Sequence, residues 1–193
     1  NEIFGTDVCI GRCRALNTVV DAIDKLRDTA SSHNRAFLIE TMGRACGYLA
    51  VEASIISGAE MVLVPEVETP FEDVARSVDE SYKRGKTHVI IVVAEGARMN
   101  ATELANRITA MDLGFDVRVT VLGHVQRGGK PSAFDRLLAT RFGVKAVEFL
   151  AEGQTGVMTA LNGRDITALP LTQVISRQRT LSEEYLRMAN MLA

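Results

Sequence analysis

The run HVIIVVA, His88–Ala94, constrains this chain more than any other stretch. Every residue after the histidine is apolar, with no polar alternate. A strand with one wet face alternates, so an unbroken apolar run reads as a parallel strand covered on both faces. Such a strand needs helices above and below it, and the rest of the pattern supplies them. AFLIET (Ala36–Thr41), MVLVP (Met61–Pro65) and VRVTVLG (Val117–Gly123) are further short strands. Between them lies RALNTVVDAIDKLRDTA, with Leu16, Val19, Val20, Ile23 and Leu26 at helical spacing. CGYLAVEASIISG reads as a helix closed by Gly58, PFEDVARSVDESYKRG as one running from Pro70 to Gly85, and ATELANRITAMDLG as a weaker one. Ser132 followed by Asp135 has capping-box spacing and predicts a helix through Leu137, Leu138, Ala146, Val147 and Leu150 to Gly153. The last forty residues predict a strand near GVMTAL, a polar turn at NGRD and a final helix SEEYLRMANML. The fold class is therefore α/β, a mainly parallel sheet flanked by helices in three layers.

Composition narrows the function classes. The 193 residues are 47% apolar and 24% charged, enough for one sizeable core. A net charge of −2 predicts neither a nucleic-acid nor a membrane-surface partner. No apolar run approaches the roughly 18 residues of a membrane span. Cys9, Cys13 and Cys46 form no CxxC and no zinc pattern, which predicts no metal site among them and fits a reducing cytoplasm. The chain opens on NEIFGTD, which reads as a loop in mid-course, so a piece of a longer protein is expected.

Parallel sheets bind ligands outside the carboxyl ends of their strands. Gly43 and Arg44 follow the first strand, Glu95 the third, and His124 and Arg127 the fourth. Arginines suit a phosphate, and a carboxylate accepts hydrogen bonds from sugar hydroxyls. Taken singly, each arginine reads as an ordinary ion-paired loop residue, His124 as structural and Glu95 as a helix cap. Their convergence on one edge predicts a site for a small phosphorylated polyol. The opposite edge carries Arg27, Glu60, Arg84 and Lys86, with Arg35 and Arg118 just before their strands. From spacing alone these cations offset helix dipoles and need no ligand. A six-residue strand spans roughly 20 Å, so Arg35 and Arg44, which bracket one, are expected either to serve different sites or to meet at one only where a neighbouring subunit lends its amino-edge residues.

MGR (Met42–Arg44), VAEG (Val93–Gly96), RVTVLGHVQRGG (Arg118–Gly129) and PSAFDR (Pro131–Arg136) together resemble the ATP- or pyrophosphate-dependent 6-phosphofructokinases. The resemblance runs from Gly5 to the last helix. It implies a Rossmann-like fold, the second half of a two-domain enzyme. Residues 1–130 would form a fructose 6-phosphate-binding unit, and 131–193 would pack on it and on a donor domain. His124 and Arg127 would grip the sugar phosphate. Met42, Gly43 and Arg44 would line the sugar, with Arg44 also facing the transferred phosphoryl group as the catalytic stabiliser. Glu95 would take a sugar hydroxyl. Arg35 and Arg118 would reach the 6-phosphate across a subunit interface, which implies a homo-oligomer, usually a tetramer. Arg27, Glu60, Arg84 and Lys86 would bind an allosteric effector, ADP or phosphoenolpyruvate.

The resemblance also implies a cytoplasmic glycolytic kinase using Mg2+ with ATP or pyrophosphate. The family's donor loop, metal motif and catalytic aspartate match positions before Asn1, so the chain alone is expected to be inactive. Asn1 and Glu2 match the end of the acidic motif, with Glu2 where aspartate is usual. Phe4 replaces a common proline, and GRCRALN (Gly11–Asn17) replaces a phenylalanine–aspartate–threonine stretch. A non-catalytic regulatory or assembly module that keeps only the effector edge is the alternative. A nicotinamide-binding domain is disfavoured, because no GxGxxG follows the strands.

Overall fold

The computed structural model describes residues 3–30, 34–112, 114–179 and 181–192; Asn1 and Glu2 lie outside the described residues. Helix α1 (Arg12–Ala30) leads into β1 (Arg35–Thr41), α2 (Tyr48–Ser57), β2 (Met61–Leu63), α3 (Phe71–Lys83), β3 (His88–Ala94), α4 (Ala101–Ala110) and β4 (Asp116–Val121). A 3-10 turn (Gly123–Arg127) follows, then α5 (Ala133–Ala151), β5 (Val157–Asn162), β6 (Asp165–Pro170), α6 (Leu171–Ile175) and α7 (Glu183–Leu192).

The four strands β1–β4 form one parallel sheet in the order β2-β3-β1-β4. The apolar run of β3 is explained by its place. Ile90, Val92 and Ala94 enter one cluster with Phe37, Ile39, Val19, Ile23 and Val51. Val89, Ile91 and Val93 enter a second cluster with Ala36, Leu38, Val74, Val78, Leu104 and Ile108. Successive side chains of one strand thus feed cores on opposite faces. Each fully buried aliphatic side chain contributes about 1.5–3 kcal/mol of transfer free energy. Helices α1, α2 and α7 cover the first face, and α3 and α4 the second. Leu181 and Ala189, late in the chain, belong to the first cluster.

The expected strand over Met61–Pro65 ends at Leu63, because Val64 turns to form an isolated bridge with Val67. The helix expected to reach Gly114 stops at Ala110, with Met111 as its C-cap; residue 113 lies outside the described residues. Helix α2 ends where expected, with Gly58 in the left-handed conformation (φ 61°). The region near GVMTAL is an antiparallel hairpin rather than a lone strand, with NGRD at its turn. Its second strand, β6, leaves a weak signal in the sequence, because DITALP carries few large apolar residues and ends on proline.

The predicted capping box is present at the start of α5. The Ser132 hydroxyl accepts from the Asp135 N–H at 3.1 Å, and the Asp135 carboxylate accepts from the Ser132 N–H at 3.3 Å. Asp135 does more than close its own helix. Its Oδ1 accepts from the Gly11 N–H at 2.8 Å, just before α1. One carboxylate thereby fixes the starts of α1 and α5.

Candidate functional site

Parallel register sets the frame. Thr41 of β1 is level with Ala94 of β3, so Met42 and Glu95 leave the sheet side by side. The Glu95 Oε1 atom accepts from the N–H groups of Gly43 (3.1 Å) and Arg44 (2.6 Å). Arg44 adopts φ 49°, a left-handed conformation that costs a non-glycine residue about 1–3 kcal/mol. The carboxylate holds that strained turn in place. Gly96 allows the approach: a Cβ there would stand 1.9 Å from the Arg44 carbonyl oxygen.

Strand β4 delivers the third wall. Its chain winds at once into the 3-10 turn, where Gln126 is 2% exposed. The Gln126 Oε1 accepts from the Met42 N–H at 2.8 Å, tying this turn to the loop after β1. The Gln126 Nε2 is buried without a hydrogen-bond partner, as is the hydroxyl of Thr41, the residue before Met42.

A hollow of about 260 Å³ opens between these elements. Met42, Gly43, Arg44, Glu95 and Arg127 line it, so three loops predicted from sequence meet at one place. His124 sits in the same 3-10 turn but is exposed and outside the lining. Sequence reasoning missed Gln126 and Arg14, which also line the hollow. An uncharged amide inside a cationic loop carries little signal, and Arg14 lay in the stretch GRCRALN, read only as a departure. Arg12 borders the hollow too, but Glu52 and Tyr48 engage its guanidinium.

Asp135 and Cys46 are among the titratable groups nearby that are shifted. Burial alone would raise the Asp135 carboxyl, but hydrogen bonds from Ser132 and from the Gly11 and Arg14 N–H groups outweigh it, and the group lies below its ordinary value. Burial raises the Cys46 thiol in the loop after β1, which keeps it protonated.

The amino edge of the sheet holds the other predicted residues. Glu60 accepts from the Ile90 N–H at 2.7 Å and pairs with Lys86 at 3.2 Å. Arg27 hydrogen-bonds the Ser57 carbonyl at the end of α2. Arg84, the C-cap of α3, pairs with Glu80, and Arg35, the first residue of β1 rather than ahead of it, donates to the Thr29 carbonyl. Arg118, expected before its strand, lies inside β4 level with Phe37, because the strand starts at Asp116, with which Arg118 pairs. Arg35 begins β1 and Arg44 follows its end, so the two lie at opposite edges of the sheet. Among the described residues, no group of three or more His, Cys, Asp or Glu side chains is arranged to hold a metal ion. Among them, too, no helix is long and apolar enough to cross a membrane.

Residues 1–150 match the family described as phosphofructokinase. The chain belongs to the phosphofructokinase family. It is 45% identical over all 193 residues to the ATP-dependent 6-phosphofructokinase of Thermotoga neapolitana, and spans 60% of that protein. It is 47% identical over 176 residues (91% of this chain, 54% of the relative) to the Staphylococcus epidermidis protein of the same description. The phosphofructokinase of Pichia pastoris, solved in the T-state, superposes with a TM-score of 0.80 at 36% identity, covering 90% of this chain and 21% of that one. A pyrophosphate-dependent phosphofructokinase from Nitrosospira multiformis gives a TM-score of 0.82 at 20% identity over the whole of this chain and 57% of its own, a likeness of fold. This phosphofructokinase-family chain thus spans about 60% of the length of the first curated relatives it matches.

Proposed function

We propose that this chain is the fructose 6-phosphate-binding portion of a 6-phosphofructokinase. The observation that carries the reading is the hollow itself. Arg44, Arg127 and Glu95 come from three separate loops and line one space at the carboxyl edge of a parallel sheet. A hexose monophosphate presents both an anion and hydroxyls, which this lining complements.

In the proposed reaction the sugar 1-hydroxyl gives its proton to a general base and attacks the terminal phosphoryl group of ATP or pyrophosphate, and ADP or phosphate leaves as the phosphoester forms. Arg127 and the neighbouring His124 hold the 6-phosphate, while Glu95, through its Oε2, accepts from a sugar hydroxyl. Arg44 stabilises negative charge on the group in transfer. Arg35 and Arg118, at the far edge, are proposed to serve a neighbouring subunit's site. Arg27, Glu60, Arg84 and Lys86 are proposed to bind a nucleoside diphosphate or phosphoenolpyruvate effector.

Isothermal titration with fructose 6-phosphate tests the reading. The chain should bind it, and Arg127→Ala should weaken binding by about 1.5–3 kcal/mol, the range for a hydrogen bond to a charged group. An unchanged dissociation constant would remove Arg127 from the site. Binding of ADP or phosphoenolpyruvate with no sugar binding would mark a regulatory or assembly module instead.

A further inference from the structure

We infer that Arg14 is a third phosphate-binding arm of the hollow and gives it a preference for a sugar carrying two phosphoryl groups. This rests on reading the hollow as a hexose phosphate site. Arg14 lies in the first turn of α1 and lines the hollow together with Arg44 and Arg127, each on a different element. Its Nε is buried without a hydrogen-bond partner, and its side chain makes no ion pair with any described residue. Gly11 gives it room, since a Cβ there would stand 3.3 Å from Arg14 Nη2. A guanidinium held against the protein with an unmet donor gains most from an incoming oxyanion.

A second observation points to a ligand at the same place. The Gln126 side chain, 2% exposed, lines the hollow and keeps its Nε2 donor unpaired. The start of α1 does not supply the attraction. Asp135 already occupies it through the Gly11 N–H, so recognition of an anion falls to side chains. One phosphoryl group engages Arg127, and Arg44 faces the second. Arg14 adds a fork that a monophosphate leaves unused, and the product of the proposed transfer, a hexose bisphosphate, has the matching second charge.

The test is calorimetric titration of the full chain and of Arg14→Gln with fructose 6-phosphate and fructose 1,6-bisphosphate. The unsubstituted chain should bind both, the bisphosphate more tightly. Arg14→Gln should lose at least tenfold for the bisphosphate and less than threefold for the monophosphate. Arg14→Lys, which keeps the charge without the fork, should recover part of the loss. Equal losses for both sugars, no loss for the bisphosphate, or no recovery with lysine would each overturn the assignment. If the unsubstituted chain binds neither sugar, the hexose phosphate reading itself falls, and the role of Arg14 with it.

Discussion

Replacing Asp135 by alanine removes one carboxylate that closes two helices, and its cost can be worked from the bonds it makes. Asp135 is 3% exposed. It accepts from the Gly11 N–H at 2.8 Å, from the Ser132 hydroxyl at 2.8 Å and from the Ser132 N–H at 3.3 Å. Ser132 still caps α5 through the residue-135 N–H, so losing the bond to the α1 start and the reciprocal half of the capping box sets a floor of about 1 kcal/mol. Counting the two shortest bonds as charge-assisted sets a ceiling of about 6 kcal/mol. Gly11 and Arg14 are only half-buried, so water replaces part of the loss. The expected destabilisation is about 2–4 kcal/mol at neutral pH, read by urea unfolding with far-UV circular dichroism. Asp135→Asn keeps one acceptor oxygen and should fall between the two. The pH dependence follows from the shift. The folded carboxyl lies below its ordinary value of 3.8, so the unfolded chain takes up the proton more readily. The stabilisation is therefore fully present above that ordinary value and is lost as pH falls through the lower folded value. The gap between the original chain and Asp135→Ala should hold steady from about pH 5 upward and narrow below about pH 4. A loss under about 1 kcal/mol at neutral pH, or a gap that widens in acid, would refute the reasoning.

Two further substitutions probe the two edges of the sheet. Gly96→Ala places a methyl group 1.9 Å from the Arg44 carbonyl oxygen, so backbone must move; a loss of about 1–3 kcal/mol is expected in urea unfolding, together with weaker fructose 6-phosphate binding. A variant with the original stability would show that the loop after β1 yields freely. Arg84→Ala removes only an exposed pair with Glu80 and should weaken titrated ADP or phosphoenolpyruvate while sparing the sugar. An equal fall in sugar affinity would break the separation of the two edges.

Strand β3 was legible to the residue, because burial on both faces leaves a signature that composition alone carries. The α5 start was legible for a different reason: capping is local chemistry between Ser132 and Asp135. The second duty of Asp135, toward Gly11, was not legible, since 124 positions separate the partners and only the packed fold joins them. The same limit hid Gln126 and Arg14. Charge drew attention to Arg44 and Arg127, whereas an amide becomes informative only once burial leaves its donor unmet. His124 shows the converse. Its position beside a glycine loop marks it in the sequence, but in the 3-10 winding of Gly123–Arg127 it is exposed and outside the lining of the hollow.

The shared rung at which Thr41 and Ala94 end bears on how such a chain can diverge. Deleting one residue inside either strand would slide Met42 past Glu95 by about 3.3 Å and turn every following side chain to the other face. Residues added between α3 and β3, at the far border, leave that rung where it is. Length is thus free to drift at one end of the sheet, while at the other a single residue gained or lost dismantles the turn that Glu95 clasps.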